Sequence, residues 1–189
     1  MFKDLILKNR SYRRFYEDAP VTEETLLELI ELARLSPTGG NRQTLKFYLS
    51  AGDKNDEIFN CLGWAGYLED GRPEPGERPA AYVVILNDAD LGGGAETNAG
   101  IAAAGMLLGA VELGLGGCMF GSVNREKLAR ELNLANNLEI ILVVAFGAPK
   151  ETVVLEEVKD DGDIKYWRDE YKVHHVPKRK LEDIIVRSN

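Results

Sequence analysis

The sequence is poor in the residues that build covalent and metal-held frameworks. It holds two cysteines, Cys61 and Cys118, in no CxxC pair, and two histidines, His174 and His175. Two distant cysteines cannot brace a chain of 189 residues with a disulfide framework, and their scarcity fits a reducing compartment. Adjacent histidines in extended chain point to opposite sides, so these two cannot share one metal ion. HExxH, paired Cys/His ligands, a GxSxG elbow, a P-loop and GxGxxG are all absent. Those absences leave metal hydrolysis, a serine nucleophile and a Rossmann nicotinamide site without support. No apolar run reaches the roughly 18 residues of a membrane-spanning helix. The opening MFKDLILKNRSYRRF lacks the apolar core of a signal peptide. The expectation is a cytoplasmic soluble protein.

Positive charge is scarce overall, with 23 Lys and Arg against 31 Asp and Glu and a net charge of −8. That balance speaks against nucleic acid, which is bound mainly by neutralising phosphates, and against an anionic membrane. The positive charge present is concentrated. Residues 1–14 carry Lys3, Lys8, Arg10, Arg13 and Arg14 against Asp4 alone, and residues 172–180 carry Lys172, Lys178, Arg179 and Lys180 with no acid. These islands are either solvated ends or parts of an anion site.

With 44% hydrophobic residues the chain can bury a core. Phe2, Leu5 and Ile6 predict a short helix over 2–9. Thr22 as N-cap, Glu23 and Glu24 in the first turn, and Leu26, Leu29, Ile30 and Ala33 at helical spacing predict a helix over 23–35. KFYLS (46–50) reads as a strand, and Asp53 as the cap of a helix over 54–62. Residues 63–79 are a Gly- and Pro-rich excursion. The solid apolar run AYVVILN (81–87) reads as a buried strand. Residues 95–113 form a helix of small apolar residues, suited to a core or a subunit interface. A strand follows in GCMFG, then a helix over 125–133 capped by Ser122 or Asn124, then the strand LEIILVVAF (138–146). Val153–Val158 is a further strand or an extended arm, Tyr166 and Trp167 begin an irregular stretch, and 181–186 is a final short element. The order implies an α+β fold with helices packed about one sheet, in a single domain over 1–189 with a tail at 164–189.

Four segments carry polar groups that could meet a ligand. In Asn9-Arg10-Ser11-Tyr12-Arg13-Arg14-Phe15, two guanidinium forks flank a hydroxyl, a set suited to phosphate. In Ser36-Pro37-Thr38-Gly39-Gly40-Asn41-Arg42-Gln43, glycines allow close backbone approach, and Asn41 and Gln43 offer both donors and acceptors to a heterocycle. In Leu115-Gly116-Gly117-Cys118-Met119-Phe120-Gly121-Ser122, glycines could let backbone N–H groups reach a ligand, and Cys118 reads as a packing residue. The fourth is Val176-Pro177-Lys178-Arg179-Lys180-Leu181. Taken singly, each also reads as ordinary structure.

In this order the four segments resemble the FMN-dependent nitroreductase family, over about residues 3–186. The first matches an RRSxRxF-like motif, the second an APSxxNxQPWxF-like motif through Phe47, the third a GLGxCWIGGF-like motif, and the fourth the basic tail. Thr44-Leu45 stands for Pro-Trp, Met119 for Trp, Ser122 for Gly, and Asn9 for a basic residue. The resemblance implies a nitroreductase-like fold, a central mixed or antiparallel sheet surrounded by helices, in an intertwined homodimer with FMN at the interface. Arg10, Ser11 and Arg13 would hold the phosphate with Lys178 and Arg179 or Lys180. Pro37, Thr38, Gly39 and Asn41 would come from the other subunit, with Gln43 near the ring or ribityl chain. Met119, Phe120, Gly121 and Ser122 would run past the ring, and Trp64, Tyr67 and Phe120 are either ring neighbours or packing residues. No catalytic side chain is required, because the flavin carries the redox chemistry. NAD(P)H would be the electron donor, and nitro compounds or quinones the acceptors in ping-pong order. A non-catalytic or specialised flavin-binding protein of the same fold stays open.

Overall fold

The computed structural model describes residues 1–159 and 162–187. Helix α1 (Phe2–Lys8) leads through an extended link to the two-residue strand β1 (Phe15–Tyr16). Helix α2 (Glu23–Leu35) begins where expected: the Thr22 hydroxyl accepts from the backbone N–H of Thr25, and the two acids sit at the positive end of the helix. After β2 (Leu45–Ser50) comes α3 (Asn55–Phe59), which is shorter than the expected 54–62. Its cap is Lys54, not Asp53. The chain leaves the helix early because Leu62 bridges to Val123 and the N–H of Gly63 donates to the Ser122 carbonyl. The excursion 63–79 has no helix or strand of its own and ends at β3 (Ala81–Asp88).

Helix α4 (Ala95–Glu112) is followed by β4 (Gly116–Phe120) and α5 (Arg125–Glu131). The Asn124 side chain caps α5, so of the two expected caps Asn124 is used. This helix also stops short of 133; Asn133 turns into the left-handed region at φ 51°. β5 (Leu138–Pro149) is the longest strand, and β6 (Val153–Glu157) resolves the choice left at 153–158 in favour of a strand. Two unforeseen strands complete the tail, β7 (Trp167–Arg168) and β8 (His174–Lys178). The final element is a single 3-10 turn, Glu182–Ile184.

β5 organises the main sheet. It pairs with β3, β4 and β1, and β2 extends the sheet beyond β3, with every pair antiparallel. The sheet is therefore antiparallel rather than mixed. Among the strands, parallel pairing occurs in a separate small sheet, where β6 and β8 run parallel and β7 is antiparallel to β8.

β3 is apolar on both faces because both are covered. Its Val83 and Ile85 join α2 and α4 in one core, with Leu26, Leu29, Ala103 and Met106. Its Tyr82, Val84 and Leu86 join α3 and α5 in a second, with Ile58, Phe120 and Leu128. The small residues of α4 permit close approach to α2: a Cβ at Gly109 would lie 2.2 Å from Leu32 Cδ1.

Gly117 has a packing role as well as the ligand-facing one expected of it. A Cβ there would fall 2.4 Å from the Ala145 carbonyl oxygen and 2.6 Å from Leu107 Cδ2. The backbone oxygen belongs to the sheet and cannot yield. Gly117→Ala is expected to cost about 1–3 kcal/mol of stability, the usual range for overpacking. Urea titration reads both this loss and its contrast, Gly121→Ala, which has nothing within 4 Å of its added Cβ and should leave stability unchanged.

Candidate functional site

The first and third segments meet through backbone pairing. Ser11 forms a parallel bridge with Gly117, and the N–H of Tyr12 donates to the Gly117 carbonyl at 3.0 Å. This lays the Arg10–Arg13 link along β4. The tail closes the other side, because the parallel β6–β8 pair carries His174 to Lys178 back across the molecule. Between them lies a cavity of about 280 Å³. Arg10, Ser11 and Arg13 line it from the link, Gly117 and Met119 from β4, and Tyr166, His174, Val176 and Lys178 from the tail. A second hollow of about 190 Å³ shares Arg13, Met119 and Tyr166 with the first, and is lined further by Gly63, Cys118, Phe120, Gly121 and Ser122.

Three cations thus converge from the two basic islands. Arg10 Nη2 donates to the Ile6 carbonyl at 2.7 Å, while its Nε is buried without a partner. Burial lowers the pKa of this guanidinium from its ordinary value. Arg13 donates its Nη1 to the Ser11 carbonyl at 3.2 Å, and its guanidinium lies 5.0 Å from the centre of the Tyr166 ring, within cation–π range. A larger opening of about 430 Å³ beside α3 is rimmed by Glu17, Asp53, Asp56 and Glu57. Its only lining cation, Arg78, is paired with Asp56, so that opening does not suit an anion.

A buried charge network fixes the tail against the link. The Glu151 carboxylate, 2% exposed, accepts from the backbone N–H groups of Arg13 and Arg14 and from Arg168 Nη2 at 2.7 Å. Arg168, 5% exposed, also bridges to Asp70 at 3.1 Å, and Arg14 binds both Asp70 and Glu77. Burial works against the Asp70 charge. Arg168, Arg14 and Lys172 outweigh it and hold the carboxyl below its usual range. Arg14 therefore serves structure, although it belongs to the same basic island as Arg10 and Arg13. The excursion 63–79 supplies Asp70 and Glu77 and so anchors both the link and the tail.

The two histidines part as extended chain requires. His175 stacks on Trp167 with ring centres 4.0 Å apart, and its nitrogens meet Glu156 and Asp169. Burial alone would lower its pKa, but hydrogen bonds to those carboxylates raise it. His174 faces the other way and is 1% exposed. Neither ring nitrogen has a hydrogen-bond partner, and burial pushes its pKa down to about 4. The sequence marked this pair only as a poor metal site, and among the described residues no group of His, Cys, Asp or Glu is arranged to hold a metal.

The remaining expectations divide. Met119 is exposed on the cavity side, whereas the Phe120 side chain turns into the core and meets Trp64 edge-on at 4.7 Å. Trp64 packs against Phe59 as well, so both rings pack. Tyr67 meets Tyr166 in a tilted ring contact at 4.9 Å, at the border of the site. Burial raises the Cys118 thiol to about 11, which leaves it protonated near neutral pH and supports the packing reading. Arg179 is exposed and lines neither hollow. Pro37, Thr38, Gly39, Asn41 and Gln43 line neither hollow of this chain. They form an exposed turn in which Gly40, Asn41 and Gln43 all have positive φ. Asn98 of α4, a buried residue that the sequence did not single out, accepts from the N–H of Gly39 at 2.9 Å and holds that turn.

The nitroreductase family model matches residues 6–70 and 67–148, and the chain belongs to the nitroreductase family. That membership implies oxidoreductase activity. A nitroreductase family protein from Streptococcus pneumoniae TIGR4 is similar over 100% of both chains, with TM-score 0.74 and 17% identity. An FMN-dependent nitroreductase from Clostridium difficile shares 24% identity over 78% of this chain and 87% of its own, with TM-score 0.65. A putative NADH dehydrogenase/NAD(P)H nitroreductase from Parabacteroides distasonis shares 20% identity over 89% of this chain and 97% of its own, with TM-score 0.67. Likeness at these identities concerns the fold. Among the described residues, no helix is long and apolar enough to cross a membrane.

Proposed function

We propose that this chain is an FMN-dependent oxidoreductase of the nitroreductase type, acting as one domain in a homodimer. The observation that carries the reading is the cavity where Arg10, Arg13 and Lys178 converge with the Ser11 hydroxyl. A buried Arg10 Nε without a partner and three cations around one hollow fit a phosphate monoester. The hollow beside Met119 and Gly121 adjoins this cavity, and nothing crowds the Gly121 backbone. The FMN-dependent and NAD(P)H-named structures that share the fold support the same assignment.

In this reading Arg10, Ser11, Arg13 and Lys178 bind and orient the phosphate. Met119, Phe120, Gly121 and Ser122 offer backbone along the ring. Pro37, Thr38, Gly39, Asn41 and Gln43 act from the partner subunit, with Arg179 nearby. Exposed apolar side chains on three adjacent helices favour such a dimer: Phe2 and Leu7 on α1, Leu27 and Leu35 on α2, and Ile101 on α4. Bound FMN would supply the redox chemistry, with NAD(P)H as the electron donor and a nitro compound or quinone as the acceptor. The protein contributes position and hydrogen-bond donors that favour the reduced ring.

The test is a visible spectrum of the purified protein, with and without NAD(P)H under argon. A yellow protein that bleaches with NAD(P)H and recovers with a nitro or quinone acceptor is expected. A colourless protein that takes up no added FMN rejects the reading. A yellow protein inert to NAD(P)H points to another electron donor.

A further inference from the structure

His174 lines the cavity, and the reading above gives its imidazole no role. It lies on β8 four residues before Lys178, and its N–H is tied to the Thr152 carbonyl at 2.9 Å. Its ring is shut away from bulk solvent, lines the cavity with Arg10, Ser11, Arg13 and Lys178, and has no hydrogen-bond partner at either nitrogen. The nearest carboxylate, Glu151, is 3.8 Å from Nδ1, which is too far for a hydrogen bond, and its oxygens are already engaged by Arg168 and two backbone N–H groups.

A neutral imidazole always carries one N–H, so a donor is present here whichever tautomer forms. Burying a donor with no acceptor is costly, and a residue that only filled space would be better apolar. Tyr166 meets the ring edge-on at 5.3 Å and gives it a fixed orientation, but no acceptor. We propose that His174 is a direct ligand of the phosphate that enters this cavity, donating a ring N–H to it and taking up a proton on binding. The inference rests on the proposed FMN reading and adds a residue to it.

The sign of the proton uptake follows from the groups that face the ring. Glu151, on the turn between β5 and β6, favours the charged form. Burial, Arg13 on the link, Arg168 on β7 and the neighbouring His175 oppose it, and the balance leaves the ring neutral above about pH 4. Arg10 and Lys178 add positive charge around the same cavity. A phosphate dianion reverses that local field and supplies the missing acceptor, so the proton becomes favourable when the ligand arrives. The structural signal was hard to read in the sequence because His174 and Lys178 are brought opposite Arg10 only by the tail's return.

The experiment uses the full chain, stripped of flavin in a chaotropic salt, returned to buffer, and titrated with FMN and with riboflavin, which lacks the phosphate. At about pH 8 free FMN is already a dianion, and the Arg10, Arg13 and Lys178 charges around the cavity hold it in that form, so the phosphate itself takes up no proton on binding. Calorimetry in two buffers of different protonation enthalpy then reads the protons bound. The wild type is expected to take up protons with FMN and none with riboflavin. His174→Gln and His174→Phe, the second retaining ring packing against Tyr166, are expected to lose the uptake. Both should bind FMN about 10- to 100-fold more weakly, with riboflavin affinity unchanged. No proton uptake by the wild type on FMN binding overturns the inference. So do variants that bind FMN as tightly as the wild type, or that lose FMN and riboflavin alike. If FMN does not bind the wild type at all, the reading of the function fails with it.

Discussion

Glu151→Gln is expected to lower the free energy of unfolding by about 3–5 kcal/mol, although it removes one charge and keeps the shape. The size follows from what would be left behind. Arg168 is 5% exposed and would keep only Asp70, a half-exposed partner, as its counter-charge. The backbone N–H groups of Arg13 and Arg14 would lose the carboxylate that accepts from both. Such a loss is a large share of the roughly 5–15 kcal/mol by which domains are stable. Urea unfolding of the variant measures it. A change below about 1 kcal/mol would mean that this network behaves like a solvent-screened surface pair. Arg34→Ala supplies the contrast: its pair with Glu31 lies on the exposed face of α2 and should matter little.

Arg13→Ala is expected to release flavin on dialysis. Arg10→Ala is expected to do the same, with FMN affinity falling about 10- to 150-fold for the loss of a charge-assisted contact. Arg13 should show the larger effect, because its guanidinium also covers the Tyr166 ring. Its backbone N–H still reaches Glu151 in the alanine variant, so the link keeps its place and the loss reports on the side chain. Flavin retained at full stoichiometry by both variants would show that the phosphate binds elsewhere.

The regular elements were legible where local signals and packing agree. α2 shows its cap, its first-turn acids and its apolar stripe in sequence, and β3 and β5 are apolar runs too short for anything but buried strands. β8 was not legible. HHVPK is polar, contains a proline, and becomes a strand only because β6 lies parallel beside it. Pro177 is tolerated there because β7 pairs only with His174 and His175, leaving β6 as the sole neighbour at Pro177. Helix α3 is shorter than its sequence pattern for the same kind of reason, since a tertiary bridge at Leu62 ends it before its own sequence does. Of the site, Arg10, Ser11, Arg13 and Lys178 were readable from charge and residue type. His174, Tyr166 and Glu151 were not, because their roles depend on burial and on contacts distant in sequence.

The parallel pairing of β6 with β8 also sets the order in which the molecule can assemble. Both strands come late in the chain, yet they complete a pocket whose other wall is laid down by its first residues. A nascent chain released only through β5 would own the main sheet and both cores, but no closed wall opposite Arg10 and Arg13. Closing so long a loop comes at an entropic cost that the Glu151–Arg168 contact repays at its far end. Cofactor capture would then be the last step of maturation, and the ligand itself would lock the tail against reopening. Protease resistance of the segment after Pro149 would rise when FMN is added, and so would report completed assembly.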